Sequence, residues 1–447
     1  MADANQPPSD GGQDIAATAR ACRTAAWRLL PVLGACYLAA YLDRVNVGFA
    51  KLQMATQIHL SDVAYGFGAG VFFIGYFLFE VPSNLVLHRI GARLWLSRIM
   101  ITWAVVSGAM AALGPLHGWL GPTGTPYAFY ALRFLLGVAE AGFFPGVLLY
   151  LTYWFPPSRQ SFALALFLIG QPTAFILGAP LSGLILDSLD GVAGLAGWQW
   201  MCLLEAAPAA LLGLWLPFRL ENRLEDARWL TATERTLLAQ AIRREAPPDR
   251  TVSLRALVRS PLAWLLALAY FFLVLGAYGL NFWLPSIVKA AGVKGALSIG
   301  LATAAPYVVC VVLMLRLAAR TPAPQAARIR CAWMCALGGA GLALSGVASS
   351  APLMMLGVTI GVTGYMTATA LFWCVPSQAL AGRAVAAGLA AINALGNIGG
   401  FVGPYLMGAL SAGFGGPKAG LLALAAAMIC SGIVLAVAGP LARDRRA

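Results

Sequence analysis

Twelve runs of mostly apolar residues, each about 20 residues long, occupy most of the sequence. A run of this length is enough to cross the hydrocarbon core of a bilayer as a helix. Of the 447 residues, 60% are hydrophobic and 11% are charged, whereas soluble proteins are about 45–50% apolar and about 25% charged. This composition excludes a soluble enzyme, a disordered chain and a secreted disulfide-rich scaffold. We therefore expect an all-α polytopic membrane protein that lies in the lipid bilayer.

The runs form two sets of six, separated by one long polar segment. Arg159 and Pro180 in the first set recur as Arg383 and Pro404 in the second, each 224 positions later. Six-helix halves related as parallel repeats are the plan of major facilitator transporters. The first six runs lie near Leu29–Ala50, Gly66–Leu87, Leu94–Leu113, Tyr127–Leu151, Phe162–Leu186 and Trp198–Pro217, and the second six near Leu262–Leu284, Ile299–Ala318, Cys331–Val347, Leu353–Val375, Val385–Leu410 and Ala419–Val437.

We therefore predict a major facilitator fold with 12 transmembrane helices in two six-helix halves. In the central segment, Thr231 and Glu234 have the spacing of a capping box, and the apolar residues that follow share one stripe, which predicts a short amphipathic helix. The expected parts are a cytoplasmic N-terminal tail at 1–26, an N-terminal bundle at 27–217, a cytoplasmic central loop at 218–260, a C-terminal bundle at 261–440 and a cytoplasmic tail at 441–447.

The basic residues predict how the chain is oriented in the membrane. With a cytoplasmic N-terminus, 24 of the 30 Lys and Arg residues fall on the inner side and four on the outer side. Cytoplasmic loops carry such an excess. The net charge of +13 is thus explained by topology, and we expect no nucleic-acid partner. We predict a multi-pass protein of the cell's inner (plasma) membrane, a monomer with both termini cytoplasmic.

Six ionisable residues interrupt the apolar runs, and they indicate where the protein acts. Each costs about 2.5–3.5 kcal/mol at the centre of a lipid-exposed helix, so they must pair with one another or face a water-filled cavity. The six are Asp43, Arg44, Glu80, Arg133, Glu140 and Glu205.

Spacing relates four of these groups. Arg133 and Glu140 are seven residues apart, so they share one helix face, with Gly137 between them. Asp43 and Arg44 are adjacent and point about 100° apart, so one of them is free to line a cavity while the other contacts a neighbouring helix.

Two interpretations of the four groups remain open. In the first, they form a proton-coupled anion site: an Arg binds both oxygens of a carboxylate, and an acid that loses its Arg to the substrate takes up a proton in the dry site. In the second, Arg133–Glu140 and Asp43–Arg44 are structural ion pairs. For Glu80 we favour a structural or gating role, and for Glu205 a structural one. Scattered cysteines and three loop-end histidines predict no metal site, no cofactor and no catalytic constellation.

Several motifs are similar to one family of membrane transporters. They are YLDRVNVGFA at 41–50, FIGY at 73–76, EVPSN at 80–84, RFLLGVAEAGFFPG at 133–146, GLNFWLP at 279–285 and GGFVGPY at 399–405. The chain resembles bacterial members of the anion:cation symporter family within the major facilitator superfamily. That family imports organic anions, such as tartrate, sugar acids and aromatic acids, usually together with protons.

The resemblance implies a role for particular residues. Asp43 and Glu140 match the acids that carry protons, and Arg44 and Arg133 match the arginines that contact the substrate carboxylate. The matches to positions that line the substrate cavity are Tyr41, Tyr76, Gln171, Trp373 and Asn393. Two positions depart from the family's patterns. His88 stands where an Asp is usual, and the apolar Ala370 and Phe372 near Trp373 favour a less hydroxylated acid.

Other functions are weighed against proton-coupled symport. An organophosphate or anion antiporter would need a basic residue facing Arg44 from the seventh helix, and residues 262–284 contain none. A drug exporter fits two buried arginines poorly. A membrane sensor that does not transport would need a larger signalling domain than the central loop. We therefore predict a secondary transporter and not an enzyme.

The predicted topology is tested with reporter fusions. A fluorescent protein fused after Ala447 should fluoresce, because the C-terminus is expected in the cytoplasm. Alkaline phosphatase fused after Gly295 should be active, because that loop is expected outside. The reverse pattern at both sites would contradict the orientation.

Overall fold

The structure, a computed structural model, describes residues 11–245, 260–318, 324–373, 375 and 384–443. This part of the chain folds into fifteen α-helices without a β-strand. The helices are α1 Gly11–Gln57, α2 Asp62–Ile90, α3 Ala92–Ala109, α4 Leu113–Glu140, α5 Phe143–Trp154, α6 Pro157–Leu168, α7 Gly170–Ser188, α8 Gly197–Arg219, α9 Ala232–Glu245, α10 Pro261–Ala290, α11 Ala296–Ala318, α12 Pro324–Val347, α13 Ala351–Phe372, α14 Ala384–Phe414 and α15 Pro417–Arg443.

Ten segments of the described chain are long and apolar enough to cross a membrane. One of them, Ala92–Trp154, has 63 residues and would be about 95 Å long as a straight helix, roughly three times the hydrocarbon thickness. A break at Gly121, with φ at +65°, divides it into two crossings. Helix α14 has 31 residues and is also long enough to span. The all-α polytopic fold predicted from the sequence is confirmed, and this accounting gives twelve crossings within the described residues.

The ends of the first half differ in part from expectation. Residues 11–26, expected in the N-terminal tail, belong to α1, which continues into the first crossing. Helix α9 confirms the predicted helix of the central loop, and its capping box forms in both directions between Thr231 and Glu234. Leu238 of α9 is buried, so this helix packs under the bundle. Residues 1–10, 246–259, Cys374, Arg383 and 444–447 lie outside the described residues, and the boundaries of the two halves stay a prediction.

Two helix pairs join the first six crossings to the last six. Helix α2 packs on α14, and α7 packs on α11. A Cβ atom at Gly66 would lie 2.5 Å from the carbonyl oxygen of Pro404, and one at Gly300 would lie 2.3 Å from that of Ala179, next to Pro180. The repeated prolines therefore stand at equivalent positions in the two joints, where glycine lets the backbones approach.

One end of the bundle is closed by contacts between the halves. The Lys51 ammonium group lies 2.8 Å from Asp62 and 3.3 Å from the Trp283 ring centroid. The Tyr65 hydroxyl donates to the carbonyl oxygen of Phe282 at 2.9 Å. Asp187 of α7 accepts from the first backbone N–H groups of α11, at 3.1 and 2.9 Å. By the predicted topology, this closed end faces outward.

Helices α2 and α4 approach most closely at Gly137. A Cβ atom there would lie 2.0 Å from the carbonyl oxygen of Phe72 and 2.9 Å from the backbone nitrogen of Tyr76. The space that Gly137 leaves between Arg133 and Glu140 is therefore filled by the backbone of α2. This contact holds in register the two helices that carry Tyr76 and Glu140.

Replacing Gly137 by alanine should destabilise the protein. The added methyl group meets backbone atoms that cannot move aside, so we expect a loss of about 1–3 kcal/mol, measured as a lower thermal midpoint in detergent. Gly34→Ala is the matched control, since a Cβ atom there meets nothing within 4 Å. Equal midpoints for the two variants would contradict the close packing.

Candidate functional site

Arg44 lies at the centre of the site, where α1 faces α4 and α10. Its guanidinium group forms an ion pair with Glu140 and donates to the Tyr278 hydroxyl at 3.0 Å. It also lies over the Tyr41 ring, at 4.8 Å, and within 5.9 Å of the Tyr76 ring centroid. The structure thus brings together four of the predicted site residues with a tyrosine from the other half.

This arrangement corrects the two ion pairs considered from the sequence. Arg133 and Glu140 share a helix face but do not pair, and neither do Asp43 and Arg44. The pair observed instead is Arg44–Glu140, which joins α1 to α4. Helix spacing could not predict it, because the choice of partner depends on how the helices pack. The Arg44 side chain is 13% exposed and Glu140 only 2%, so the Arg is the more accessible of the two.

Arg133 is held by backbone oxygens instead of by an acid. Its guanidinium group donates to the carbonyl oxygens of Gly68 and Ala69, at 3.3 and 3.2 Å. No carboxylate among the described residues lies within 4 Å of it. The Phe72 ring centroid is 5.1 Å from the Arg133 guanidinium carbon and 5.4 Å from that of Arg44. Arg133 is therefore a buried positive charge close to the centre, with its carboxylate-contacting role still a prediction.

Asp43 points away from Arg44, as their adjacency on one helix predicts. Its carboxylate accepts from Asn46 at 3.0 Å and from Ser107 at 2.6 Å, and the Trp103 indole nitrogen also donates to it. The side chain is buried between α1 and α3. Asp43 therefore lies behind the site, inside the first half of the chain.

The remaining predicted cavity residues are Asn393 and Trp373 in the second half and Gln171 on α7. Asn393 of α14 donates to the Glu80 carboxylate of α2 at 3.1 Å. Trp373, at the end of α13, is half-buried, and its ring centroid is 4.9 Å from that of Tyr270. Gln171 is half-buried in the first turn of α7. The Glu80–Asn393 bond supports the gating role considered for Glu80, because it links the two halves.

One helix break flanks the site, and nothing in the sequence pattern predicted it. The fourth crossing is interrupted directly after Glu140, where Gly142 takes φ of +87°. Substrate sites in transporters are typically formed by such discontinuous helices. Gly142 was the available signal, but glycine is common in membrane helices and does not by itself mark a break. The fifth crossing runs on from α6 into α7 without a break, because Ile169 between them keeps right-handed helical dihedral angles, with φ of −58° and ψ of −26°.

Glu205 is buried apart from this centre. The Ser182 hydroxyl donates to one of its carboxylate oxygens at 2.6 Å, and the second oxygen has no partner among the described residues. Its single bond joins α7 to α8, in keeping with the structural role expected. His88, which departs from the family pattern, lies 3.3 Å from the Tyr153 hydroxyl.

Comparison with known proteins decides the family. The family model of the Major Facilitator Superfamily matches residues 33–404. The chain belongs to this superfamily. A D-xylose–proton symporter of known structure shares the fold, with a TM-score of 0.66 and 15% identity over 92% of this chain and 96% of that one. The protein is thus a multi-pass membrane transporter.

Relatives with higher identity refine the placement. A candidate tartrate transporter of Agrobacterium vitis is 42% identical over 96% of this chain and 94% of its own length. A quinolone resistance transporter of Acinetobacter baumannii is 40% identical over 91% and 92%. The predicted resemblance to the anion transporters of the superfamily is confirmed.

A double-mutant cycle tests the Glu80–Asn393 bond. Glu80→Ala and Asn393→Ala should each lower the thermal midpoint, and the double variant should be less damaged than their sum, with a coupling of about 0.5–2 kcal/mol for a bond between membrane helices. A control cycle pairs Glu80→Ala with Ser182→Ala, which do not touch. Additive effects in both cycles would mean that the bond contributes nothing.

Proposed function

We propose that the protein is a proton-coupled symporter that takes up a small organic anion, a carboxylate, by alternating access. The observation that carries the proposal is the Arg44–Glu140 pair in contact with Tyr278 of the other half. It combines a fixed positive charge, an acid that is able to exchange a proton and a link between the moving parts. The partners are the organic anion, protons and the bilayer.

The pair suggests how substrate and proton are coupled. In the empty site, Glu140 neutralises Arg44. An arriving carboxylate competes for the guanidinium group, which binds both of its oxygens. Glu140 then loses its counter-charge in a site with little water, where the neutral acid is the more stable form. Proton uptake by Glu140 therefore accompanies substrate binding, and the loaded site stays neutral.

Charge balance gives a reason for coupling to protons. Moving one negative charge inward against an inside-negative potential costs about 2.3 kcal/mol per 100 mV. One proton cancels this cost for a monoanion, and a dianion needs two. Asp43, which also matches a proton-carrying position, is the candidate for a second proton. Arg133 is the candidate for a second carboxylate contact, and Tyr41, Tyr76, Gln171, Trp373 and Asn393 are the candidates for lining the cavity.

The contacts between the halves support a rocking motion around this site. To admit substrate, the closed end near Lys51 and Trp283 would open while the Glu80–Asn393 bond keeps the opposite end shut. To release it, the Lys51 end would close and the Glu80–Asn393 bond would break. We place the protein in the inner membrane as a monomer, with its termini and central loop in the cytoplasm and the Lys51 end outside.

Two alternatives are kept. In an organophosphate antiporter, a basic residue is expected where Tyr278 faces Arg44, so the geometry favours a carboxylate. Export of a quinolone is suggested by the name of the Acinetobacter relative, although the ionised Arg44–Glu140 pair suits a small anion better than a bulky aromatic drug. A sensor without transport has no specific observation in its favour.

Uptake into proteoliposomes tests the proposal. With an inward proton gradient, the native protein should accumulate one or more acids from a panel of organic carboxylates. Glu140→Gln should lower gradient-driven uptake at least about tenfold, the factor equivalent to one charged hydrogen bond, while thermal stabilisation by the same acid persists. Glu205→Gln is the matched control, a buried glutamate away from Arg44, and should keep uptake within about twofold.

Other outcomes would overturn parts of the proposal. Unchanged uptake by Glu140→Gln would shift the proton role to Asp43. Uptake that ignores the proton gradient but requires an organophosphate on the opposite side would indicate an antiporter. Quinolone efflux without movement of any acid would indicate a drug exporter.

A further inference from the structure

Six side chains form a ring beside Arg44. Arg44 donates to the Tyr278 hydroxyl at 3.0 Å. Asn281 lies about one turn further along α10 than Tyr278 and accepts from the Tyr307 hydroxyl at 2.7 Å. The Tyr307 ring stacks on the Phe175 ring, with centroids 4.2 Å apart. The Phe175 ring centroid is 6.2 Å from that of Tyr41, and the Tyr41 ring centroid is 4.8 Å from the Arg44 guanidinium carbon. The ring draws on α1, α7, α10 and α11, and its polar members are Arg44, Asn281 and three tyrosine hydroxyls.

Asn281 is held in one orientation by two tyrosines. Its side-chain oxygen accepts from the Tyr307 hydroxyl at 2.7 Å and from the Tyr365 hydroxyl at 2.8 Å. Two donors use both lone pairs of the amide oxygen, so the amide cannot rotate without losing both bonds. Such a pre-set polar group is what a site needs to recognise a ligand without first reorganising.

The amide nitrogen of Asn281 has no acceptor among the described residues. None of the side chains that hold Asn281 takes a hydrogen bond from it, and the nitrogen is not among the fully buried polar atoms without a partner. The residue keeps 8% exposure. Its NH₂ group is thus a donor fixed in direction and still accessible, one helical turn from the tyrosine that contacts Arg44.

We propose that Asn281 is a specificity-determining residue that selects carboxylates bearing a hydroxyl group close to the carboxylate. The inference rests on the proposed carboxylate site at Arg44. With the carboxylate on Arg44, the substrate hydroxyl accepts from the Asn281 amide. The same hydroxyl has its own proton to donate, and the Tyr278 oxygen, 3.5 Å from that of Tyr41, is an acceptor beside it. A keto group accepts but cannot donate, so a hydroxy acid forms both hydrogen bonds and a keto acid only the one from Asn281.

This preference is the opposite of the one that the sequence favours, and it comes from a different helix. The apolar Ala370 and Phe372 on α13 favour a less hydroxylated acid, and Phe372 is fully buried. The donor lies instead on α10, within the GLNFWLP motif. An acid that lacks the hydroxyl would leave the Asn281 amide without a partner once water is excluded, and unpaired buried donors are costly.

Binding to the purified full-length protein tests this inference. Acids that differ by one hydroxyl group, such as malate and succinate or lactate and propionate, are compared by thermal stabilisation and by competition. The native protein should bind the hydroxylated member of a pair at least about tenfold more tightly. Asn281→Leu, of similar size, should reduce that ratio to about twofold or less by weakening only the hydroxylated acid.

A second variant covers the case in which Asn281→Leu does not fold. Tyr307→Phe combined with Tyr365→Phe leaves the amide in place but frees it to rotate, so the ratio should fall in the same direction by a smaller factor. Tyr150→Phe is the matched control, since its hydroxyl bonds to the Glu221 carbonyl oxygen far from the ring. It should leave the ratio unchanged.

The outcomes separate this inference from the proposed function. A hydroxyl preference that survives in Asn281→Leu, or a native preference for the acid without the hydroxyl, overturns the role of Asn281 while proton-driven uptake stands. An equal response to keto and hydroxy acids overturns the hydroxyl assignment. Failure of the native protein to bind any carboxylate overturns both.

Discussion

The charge of Arg44 is the constraint on which the centre of this molecule depends. A guanidinium group cannot lose its proton, so inside a membrane protein it must be neutralised or solvated by polar groups. Here Glu140 supplies the opposite charge, the Tyr278 hydroxyl supplies an acceptor, and the rings of Tyr41 and Tyr76 supply their faces. Every one of these partners comes from a different turn or helix, so the position of Arg44 ties α1, α2, α4 and α10 to one point.

The helices around Arg44 and at the joints between the halves are packed backbone against backbone. Glycines at 66, 137 and 300 let helices touch at distances that any side chain would prevent. The joints between the halves are α2 on α14 and α7 on α11, and in the proposed mechanism they are the lines about which the halves rock. A ligand that breaks the Arg44–Glu140 or Arg44–Tyr278 contact acts directly on that interface, because Tyr278 belongs to the opposite half. In the proposed mechanism, binding and movement are thus coupled through a few short contacts.

The two arginines and two acids of the first half differ in exposure and in the groups that hold them. Arg44 and Glu140 form an ion pair whose arginine is partly accessible, whereas Arg133 and Asp43 are buried and held by neutral donors and acceptors. A buried charge with several hydrogen bonds but no ion partner keeps its electrostatic influence on neighbours at short range. The guanidinium groups of Arg133 and Arg44 both lie near the Phe72 ring. Arg133 therefore adds positive potential near Arg44, which would favour an anion over a cation.

The sequence by itself determined the class of fold, the helical segments, the amphipathic helix of the central loop and the set of intramembrane charges. Periodicity, apolar length and capping spacing act locally, so a single chain reveals them. Adjacency also correctly separated Asp43 from Arg44. Only the tertiary structure decided that Arg44 pairs with Glu140, that Arg133 binds backbone oxygens, that the fourth crossing breaks beside Glu140, and that two tyrosines orient Asn281. Those choices depend on which helix faces meet across the bundle, and contacts between residues far apart in the chain leave no local pattern.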